Sequence, residues 1–154
     1  MYQSILVPYD RSEHAKHALS AALELASTSF EGKVTLLYVA ELPDFDDPTF
    51  EAAAQMAGVA RVSQEDSLAA QREFYERKKK DLIADAKSIV GDFTQVVYRV
   101  TSGKPHDAIV EFAETGQFDL VVMGNRGLGA LRGALGSVSY AVLRSVDIPV
   151  LIVK

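Results

Sequence analysis

The chain of 154 residues contains no cysteine, so disulfide bonds and thiolate metal sites are excluded. It also lacks any apolar run that approaches the roughly 20 residues needed to cross a bilayer. Met1 leads directly into a short apolar segment, without the basic start and long apolar stretch of a signal peptide. We therefore expect a cytoplasmic protein with no membrane-inserted segment.

Basic residues are fewer than acidic ones: the chain has 16 lysine and arginine residues and 21 aspartate and glutamate residues. The net charge of −5 argues against a nucleic-acid binder, since such proteins use cationic surface to displace counterions. It does not argue against a nucleotide, because a local cradle of N–H groups holds phosphate even on an acidic protein. The length predicts a single globular domain, residues 1–154, with room for a real core.

Short apolar runs alternate with amphipathic helical stretches along the chain. The runs mostly lack polar alternation, which is typical of strands covered on both faces. They predict strands over 5–9, 34–40, 95–100, 120–123 and 150–153. Helical spacing predicts helices over 12–28, 64–90 and 105–114, and a fourth that begins near Gly136 and Ser137. The second helix carries a predicted buried stripe with a seven-residue repeat, formed by Leu68, Tyr75, Leu82 and Ile89.

The order of these elements, βαβαβαβαβ, predicts an α/β fold. It favours an open, Rossmann-like five-stranded parallel sheet of order 3-2-1-4-5, with helices on both faces. In such sheets ligands bind outside the carboxyl ends of the strands where the strand order reverses, here between strands 1 and 4. The segment 41–62 is too long for a plain connection. A short helix over 49–57, a lid and a mobile stretch are all compatible with it.

The glycine-rich loop after strand 4 has the composition of a phosphate site. Gly124 and Gly127 are followed, after eight residues, by Gly136 and Ser137 at a predicted helix start. Backbone N–H groups of such a loop and of a helix N-terminus bind phosphate oxygens, and glycine lets the main chain approach closely. The simpler alternative is that Gly124 and Gly127 only form a turn after a strand. No Gly-x4-Gly-Lys-Ser/Thr sequence is present, which excludes a P-loop hydrolase.

Other polar groupings have simpler structural interpretations. Asp10 and Ser12 are rival N-caps for the first helix, and Asp10 either only caps it or also binds a ligand. His14 and His17 lack the spacing of the zinc-protease pattern and predict a surface pair. The basic run 77–80 on the long helix predicts a solvated face. No nucleophile-and-base pair stands out, so we predict no catalytic residue and no metal-binding side chain.

In this order and spacing the motifs resemble those of the universal stress protein family over nearly the full length of the chain. The resemblance rests on Ile5-Leu6-Val7-Pro8-Tyr9-Asp10-x-Ser12, Leu36-Leu37-Tyr38-Val39, Gly103-x-Pro105, Asp119-Leu120-Val121-Val122-Met123-Gly124, Gly136-Ser137-Val138-Ser139 and Pro149-Val150-Leu151-Ile152-Val153. It implies the adenine nucleotide alpha hydrolase-like fold and a stress-response regulatory protein that binds ATP, accompanied by Mg²⁺ or Mn²⁺. It implies at most slow ATP hydrolysis.

The resemblance also implies a role for each matching residue. Asp10, with the backbone of Pro8 and Tyr9, is expected to contact adenine and ribose. Val39 is expected to offer backbone hydrogen bonds to adenine. The expected ribose lining is Met123 and Gly124, and the expected phosphate contacts are Gly127, Gly136, Ser137 and Val138. Arg126 is a candidate to supply a guanidinium group to the phosphates.

The ATP-binding branch of the family carries Gly-x2-Gly-x9-Gly-Ser/Thr, whereas only eight residues separate Gly127 from Gly136 here. Either Gly129 and Gly133 let the shorter loop tighten and keep the cradle, or phosphates are held differently or not at all. The alternative function is therefore a nucleotide-free dimeric interaction module of the same fold. Both functions imply an unidentified protein partner and a homodimer through the edge strand of Val150, Leu151, Ile152 and Val153.

Overall fold

The computed structural model describes residues 2–41, 56, 64–127 and 135–154. Helices and strands alternate through these ranges in the order β1 (Ser4–Pro8), α1 (Glu13–Ser27), β2 (Lys33–Ala40), α2 (Gln64–Val90), β3 (Val96–Ser102), α3 (Pro105–Thr115), β4 (Leu120–Gly124), α4 (Ser137–Ser145) and β5 (Val150–Val153). The alternation confirms the predicted α/β class. The predicted helix over 49–57 and most of the segment 41–62 lie outside the described residues.

The five strands form one parallel sheet of order β3-β2-β1-β4-β5, which confirms the predicted topology. β1 is the central strand, and its register pairs Leu6 with Val121 of β4 and Val7 with Leu36 of β2. The strand order reverses between β1 and β4. Because parallel strands end at the same edge, the residues that follow β1, β2 and β4 are brought together there.

Alternate residues of the strands pack on opposite faces of the sheet. Ile5 and Val7 belong to the core under α1 and α2, whereas Leu6 and Val121 belong to the core under α3 and α4. All four side chains are fully buried. Burial on both faces explains why the strands read as continuous apolar runs, and it gives the carboxyl edge a rigid support.

The structure decides between the two N-caps that the sequence offered for helix α1. The Ser12 hydroxyl accepts a hydrogen bond from the Ala15 N–H at 3.2 Å, so Ser12 is the N-cap. The Asp10 carboxylate instead accepts hydrogen bonds from the Ser12 N–H at 3.0 Å and from the Ser12 hydroxyl at 2.6 Å. The interpretation of Asp10 as the cap is therefore wrong, because the side chain of Ser12 lies nearer to the first free N–H groups.

Helix α2 buries its predicted stripe only in its second half. Leu82 and Ala86 are fully buried, whereas Leu68 is 52% exposed. The cause is length: 27 helical residues span about 40 Å, while the seven residues of β3 span about 23 Å. The first turns of α2 therefore extend beyond the sheet, and the prediction that Leu68 is buried is wrong.

Several strand boundaries differ from the prediction by one or two residues. β1 ends at Pro8 instead of residue 9, and β3 continues to Ser102 instead of ending at residue 100. Thr101 and Ser102 stay in the sheet because they pair with Val39 and Ala40 of β2. In the part of the chain that the structure describes, no helix has the length and apolar character needed to cross a membrane.

Candidate functional site

A cavity of about 710 Å³ opens at the carboxyl edge of the sheet, where the strand order reverses. Its volume lies within the range of roughly 300–1,000 Å³ that is usual for small-molecule sites. Every residue predicted from sequence to contact a nucleotide lines this cavity: Pro8, Tyr9, Asp10, Val39, Met123, Gly124, Arg126, Gly127, Gly136, Ser137 and Val138. The structure thus brings the predicted residues together, while their contact with a ligand stays a prediction.

The end of β1 and the glycine loop meet inside this cavity. The Asp10 carboxylate lies so close to Gly127 that a Cβ atom at position 127 would collide with its Oδ2 atom. The N–H group of Tyr9 donates to the carbonyl of Leu37 at 2.8 Å, which holds the strand end in place. Position 127 therefore has to be glycine if Asp10 is to keep its place beside the loop.

The start of α4 is fixed against the end of β4 by polar contacts. The buried Ser139 hydroxyl donates to the carbonyl of Gly124 at 2.8 Å, and the Gly136 N–H donates to the carbonyl of Asn125 at 2.8 Å. Gly124 lies against α1, since a Cβ atom there would be 2.7 Å from the Cβ of His14. These contacts join the end of β4 to α1 and α4, so Gly124 does more than form a turn after a strand.

The first turn of α4 faces the cavity without a side-chain cap. Gly136 is the N-cap residue, with φ −60° and ψ 149°, and it has no side chain to bond the N–H groups that follow. The first N–H groups of a helix have no partner inside the helix and carry its positive dipole end. The exposed Ser137 adds a hydroxyl group at the same place. This arrangement can accept an anionic group.

The two ends of the shortened glycine loop converge. A Cβ atom on Gly136 would lie 3.8 Å from the backbone nitrogen of Gly127 and 3.3 Å from the Cα of Arg126. Residues 128–134 lie outside the described part, so the predicted tightening at Gly129 and Gly133 stays a prediction. The glycines at both ends nevertheless reach the same wall of the cavity.

Charged side chains of both signs line the cavity. Arg126 and Lys78 are basic, and Asp10 and Glu41 are acidic. The Nε atom of Arg126 is buried and has no hydrogen-bond partner among the described residues. An oxygen-rich ligand could satisfy that donor.

Sequence reasoning missed Lys78 as a cavity residue. The basic run 77–80 predicted a solvated face, yet Lys78 is half-buried and lines the cavity, so the prediction is wrong at this position. A signal was present: Lys78 lies three residues after Tyr75 and four before Leu82, so it shares the helix face of the predicted stripe. Glu41 was missed because it lies at the start of the segment 41–62, for which the sequence left several structures open.

A partly buried hydrogen bond supports the cavity wall. The Tyr9 hydroxyl donates to Oδ2 of Asp85 on α2 at 2.6 Å. Burial, and then the hydrogen bond and negative charge of Asp85, raise the pKa of the Tyr9 phenol well above its usual value of 10.0. The bond ties the residue that follows β1 to α2, so it couples the connection that carries Asp10 to the helix that carries Lys78.

Replacing Tyr9 by phenylalanine is expected to lower the free energy of unfolding by about 1 kcal/mol near neutral pH, because one hydrogen bond is lost. The folded protein holds the Tyr9 proton above pH 10 while the unfolded chain releases it. The wild-type stability from this bond is therefore complete below about pH 10 and falls as the pH rises further. Urea denaturation from pH 7 to 11 should show a smaller alkaline loss in Tyr9→Phe, and equal losses would contradict the assignment.

Metal-ligand side chains do not cluster in the described ranges. Among residues 2–41, 56, 64–127 and 135–154, no group of three or more His, Asp or Glu side chains could hold an ion. The Nδ1 atom of His17 lies 3.3 Å from the carbonyl oxygen of Lys154, and His14 packs against Gly124.

The fold and the cavity define a doubly wound α/β domain with a ligand-sized crevice at its switch point. A family model described as "Universal stress protein family" matches residues 1–154. The chain belongs to the universal stress protein family.

Similar proteins cover the chain from end to end. A universal stress protein of Thermus aquaticus, encoded in the QAH/OAS sulfhydrylase 3' region, is 33% identical over 158 residues, which cover 100% of both chains. Universal stress protein MJ0577 of Methanocaldococcus jannaschii is 31% identical over 163 residues, covering 100% of this chain and 96% of the relative.

Two solved structures show the same architecture. The structure of MJ0577 has a TM-score of 0.72 and 26% identity, and the match covers 100% of this chain and 96% of that one. The crystal structure of a universal stress protein in complex with cAMP has a TM-score of 0.62 and 27% identity. That match covers 99% of this chain and 97% of the cAMP-bound protein.

Proposed function

We propose that this chain is a regulatory protein that binds ATP in the cavity between the ends of β1 and β4. The observation that carries the proposal is the meeting of Asp10, the glycine pair and the uncapped start of α4 on one cavity. Binding, and not turnover, is the proposed activity.

The phosphates are assigned to the α4 end of the cavity. The N–H groups of Ser137 and Val138 and the Ser137 hydroxyl offer donors at the positive end of a helix. Arg126 contributes a guanidinium whose buried Nε has no described partner. Glycine at position 127 leaves the main chain open to close approach. Together these donors match the oxygens of a nucleoside phosphate.

The base and ribose are assigned to the β1 and β2 end of the cavity. Val39, at the end of β2, offers backbone groups to adenine. The carboxylate of Asp10 offers acceptors to ribose hydroxyl groups, and Met123 provides an apolar contact beside them. The family member with bound cAMP supports an adenine nucleotide as the ligand class, because it shares the fold at 27% identity over nearly the whole chain.

Regulation then follows from differential binding. ATP changes the affinity for a protein partner only if two conformations of the chain bind ATP differently. The hydrogen bond between Tyr9 and Asp85 links the cavity wall to α2, which makes α2 the element proposed to respond. A Mg²⁺ or Mn²⁺ ion would be carried by the phosphate oxygens, since these are the hard oxygen ligands such ions prefer.

Replacing Ser137 by alanine is expected to weaken ATP binding about three- to tenfold, because one hydrogen bond to phosphate is worth roughly 0.5–1.5 kcal/mol. Calorimetric titration with ATP and Mg²⁺ measures the change. Ser145→Ala, at the far end of the same helix, is the matched control and should bind as the wild type does. Equal affinity of wild type, Ser137→Ala and Ser145→Ala would contradict the assigned phosphate position.

A homodimer through β5 is proposed under both candidate functions. β5 is an outer strand of the described sheet, and Leu151 on it is 39% exposed. An apolar strand at a sheet edge favours pairing with a second copy. The alternative function, a nucleotide-free interaction module, would rest on this surface alone.

Replacing Leu151 by aspartate is expected to convert the dimer to a monomer of 16.7 kDa, because the change buries an unpaired charge at the interface. Light scattering coupled to gel filtration at micromolar protein measures the mass. Leu68→Asp, at a more exposed leucine on α2, is the control and should leave the dimer intact. A wild-type mass of 16.7 kDa would refute the dimer.

A further inference from the structure

Arg11, in the connection between β1 and α1, has a backbone conformation that ordinarily favours glycine. Its φ is +68°, and within the described ranges it is the one residue other than glycine with a positive φ. The left-handed region strains a residue that carries a Cβ atom, whereas glycine adopts it freely. Arginine at this position therefore carries a conformational cost that glycine would avoid.

The turn around position 11 does not depend on the arginine side chain. Oδ1 of Asp10 accepts hydrogen bonds from the N–H group of Ser12 at 3.0 Å and from its hydroxyl at 2.6 Å. Aspartate side chains close such turns by bonding the backbone two residues on. Because both bonds are made by the neighbours of Arg11, glycine at position 11 would preserve them. The reason for an arginine here must lie in its guanidinium group.

The guanidinium group of Arg11 lies against the aromatic wall of the cavity. Its Cζ atom is 5.1 Å from the centroid of the Tyr38 ring, within the range of a cation–π contact. Burial and the neighbouring Asp85 raise the pKa of the Tyr9 phenol, and the positive charge of Arg11 opposes part of that rise. Tyr9 and Tyr38 line the cavity, whereas Arg11 is not among the described lining residues. Any effect of Arg11 on a ligand therefore passes through this wall.

Two nitrogens of the same guanidinium group are buried without hydrogen bonds. Nε and Nη2 of Arg11 have no partner among the residues that the structure describes. A buried donor without a partner opposes folding, as does the left-handed backbone. Strain of this kind is concentrated at ligand sites, where the surrounding structure holds it in place. Among the described contacts, the one with Tyr38 holds the group beside the cavity.

We infer that Arg11 is a positioning residue, which fixes the end of β1 against the end of β2 before the nucleotide binds. The inference rests on the proposed function, in which Asp10 contacts ribose and Val39 contacts adenine. Asp10 precedes Arg11 in the chain, and Val39 follows Tyr38. The contact between Arg11 and Tyr38 therefore sets the spacing of the two stretches that hold the nucleoside. Groups held in their binding positions beforehand lose less conformational freedom on binding, so the affinity rises.

Arg11→Gly should separate the stability of the fold from the affinity for ATP. Glycine removes the strain and the buried donors, so the midpoint of thermal unfolding should rise or stay within about 2 °C of the wild type. Loss of the contact with Tyr38 should weaken ATP binding about three- to tenfold, as measured by calorimetric titration with Mg²⁺. A purely structural role would instead lower the unfolding midpoint together with the affinity, and that parallel loss would overturn the inference.

Arg11→Lys and Arg11→Met isolate the charge, because both variants keep a Cβ atom in the left-handed region. Lysine retains a cation for the Tyr38 ring and should bind ATP within about twofold of the wild type, whereas methionine should match Arg11→Gly. Arg144→Met is the matched control, because Arg144 lies over the Tyr140 ring at 5.7 Å on the exposed surface of α4. Arg144 does not line the cavity, so this variant should bind ATP as the wild type does.

A double-mutant cycle tests the link between Arg11 and Tyr38. Arg11→Met and Tyr38→Leu remove the same contact, so the double variant should bind ATP no more weakly than the weaker of the two single variants. If the wild type binds ATP, additive losses in the double variant or wild-type affinity in Arg11→Met would overturn the inference and leave the proposed function standing. A wild type that does not bind ATP would overturn both.

Discussion

Replacing Gly127 by alanine is expected to weaken ATP binding by about 10- to 100-fold. An added Cβ atom collides with the Asp10 carboxylate, so the loop or the carboxylate has to move away from the cavity. Either movement breaks a charge-assisted hydrogen bond to the nucleotide, worth about 1.5–3 kcal/mol. Titration with ATP and Mg²⁺ gives the affinity, and circular dichroism shows whether the fold is retained.

Gly91→Ala is the matched control for this substitution. Gly91 follows α2, has φ +55° and has open space around its Cα, so alanine there meets no other atom. The left-handed backbone should lower the free energy of unfolding by about 1–2 kcal/mol without changing the affinity for ATP. If Gly127→Ala binds ATP as tightly as Gly91→Ala does, the contact between Asp10 and the loop has no role in binding.

Replacing Leu82 by alanine is expected to lower the free energy of unfolding by about 2–5 kcal/mol. Leu82 is fully buried where α2 packs on the sheet, and truncation leaves a cavity in the core. A loss of this size is a large share of the roughly 5–15 kcal/mol that stabilises a typical domain. Urea denaturation followed by circular dichroism measures it.

Leu68→Ala is the same substitution on the exposed half of the same helix. Leu68 is 52% exposed, so its truncation should cost less than about 0.5 kcal/mol. Similar losses for Leu82→Ala and Leu68→Ala would mean that the first turns of α2 are covered by a further part of the protein.

The strand order was predictable because the sheet is buried on both faces. Continuous apolar runs such as 5–9 and 120–123 identify strands without alternation, and the intervening helices require parallel crossovers. The switch point between β1 and β4, and hence the position of the cavity, followed from that order. The glycine pattern then identified which loop would line it.

Packing details were not predictable because they depend on residues distant in sequence. The approach of Asp10 to Gly127 exists only once β1 and β4 are neighbours. Asp10 and Ser12 are both good caps by residue type, and only the geometry of the turn selects Ser12. The length of α2 relative to β3 decided that Leu68 is exposed.

Lys78 illustrates a different limit of prediction from sequence. A run of basic residues predicts a solvated face from composition, but helical spacing assigns each member of the run its own direction. Lys78 shares the face of Leu82 and reaches the cavity, whereas Lys80 is exposed. Spacing relative to a buried residue is therefore the better guide to which charge in a run meets a ligand.

ATP binding between the ends of β1 and β4 is tested most directly by titrating the ¹⁵N-labelled protein with ATP and Mg²⁺ and following the amide resonances. We expect saturable shifts for the amides of Gly127, Ser137 and Val138 at the phosphate end and of Val39 at the base end. The amide of Phe30, at the opposite edge of the sheet, should not move. Unchanged amide resonances at these four cavity positions under millimolar ATP would contradict ATP binding in the cavity.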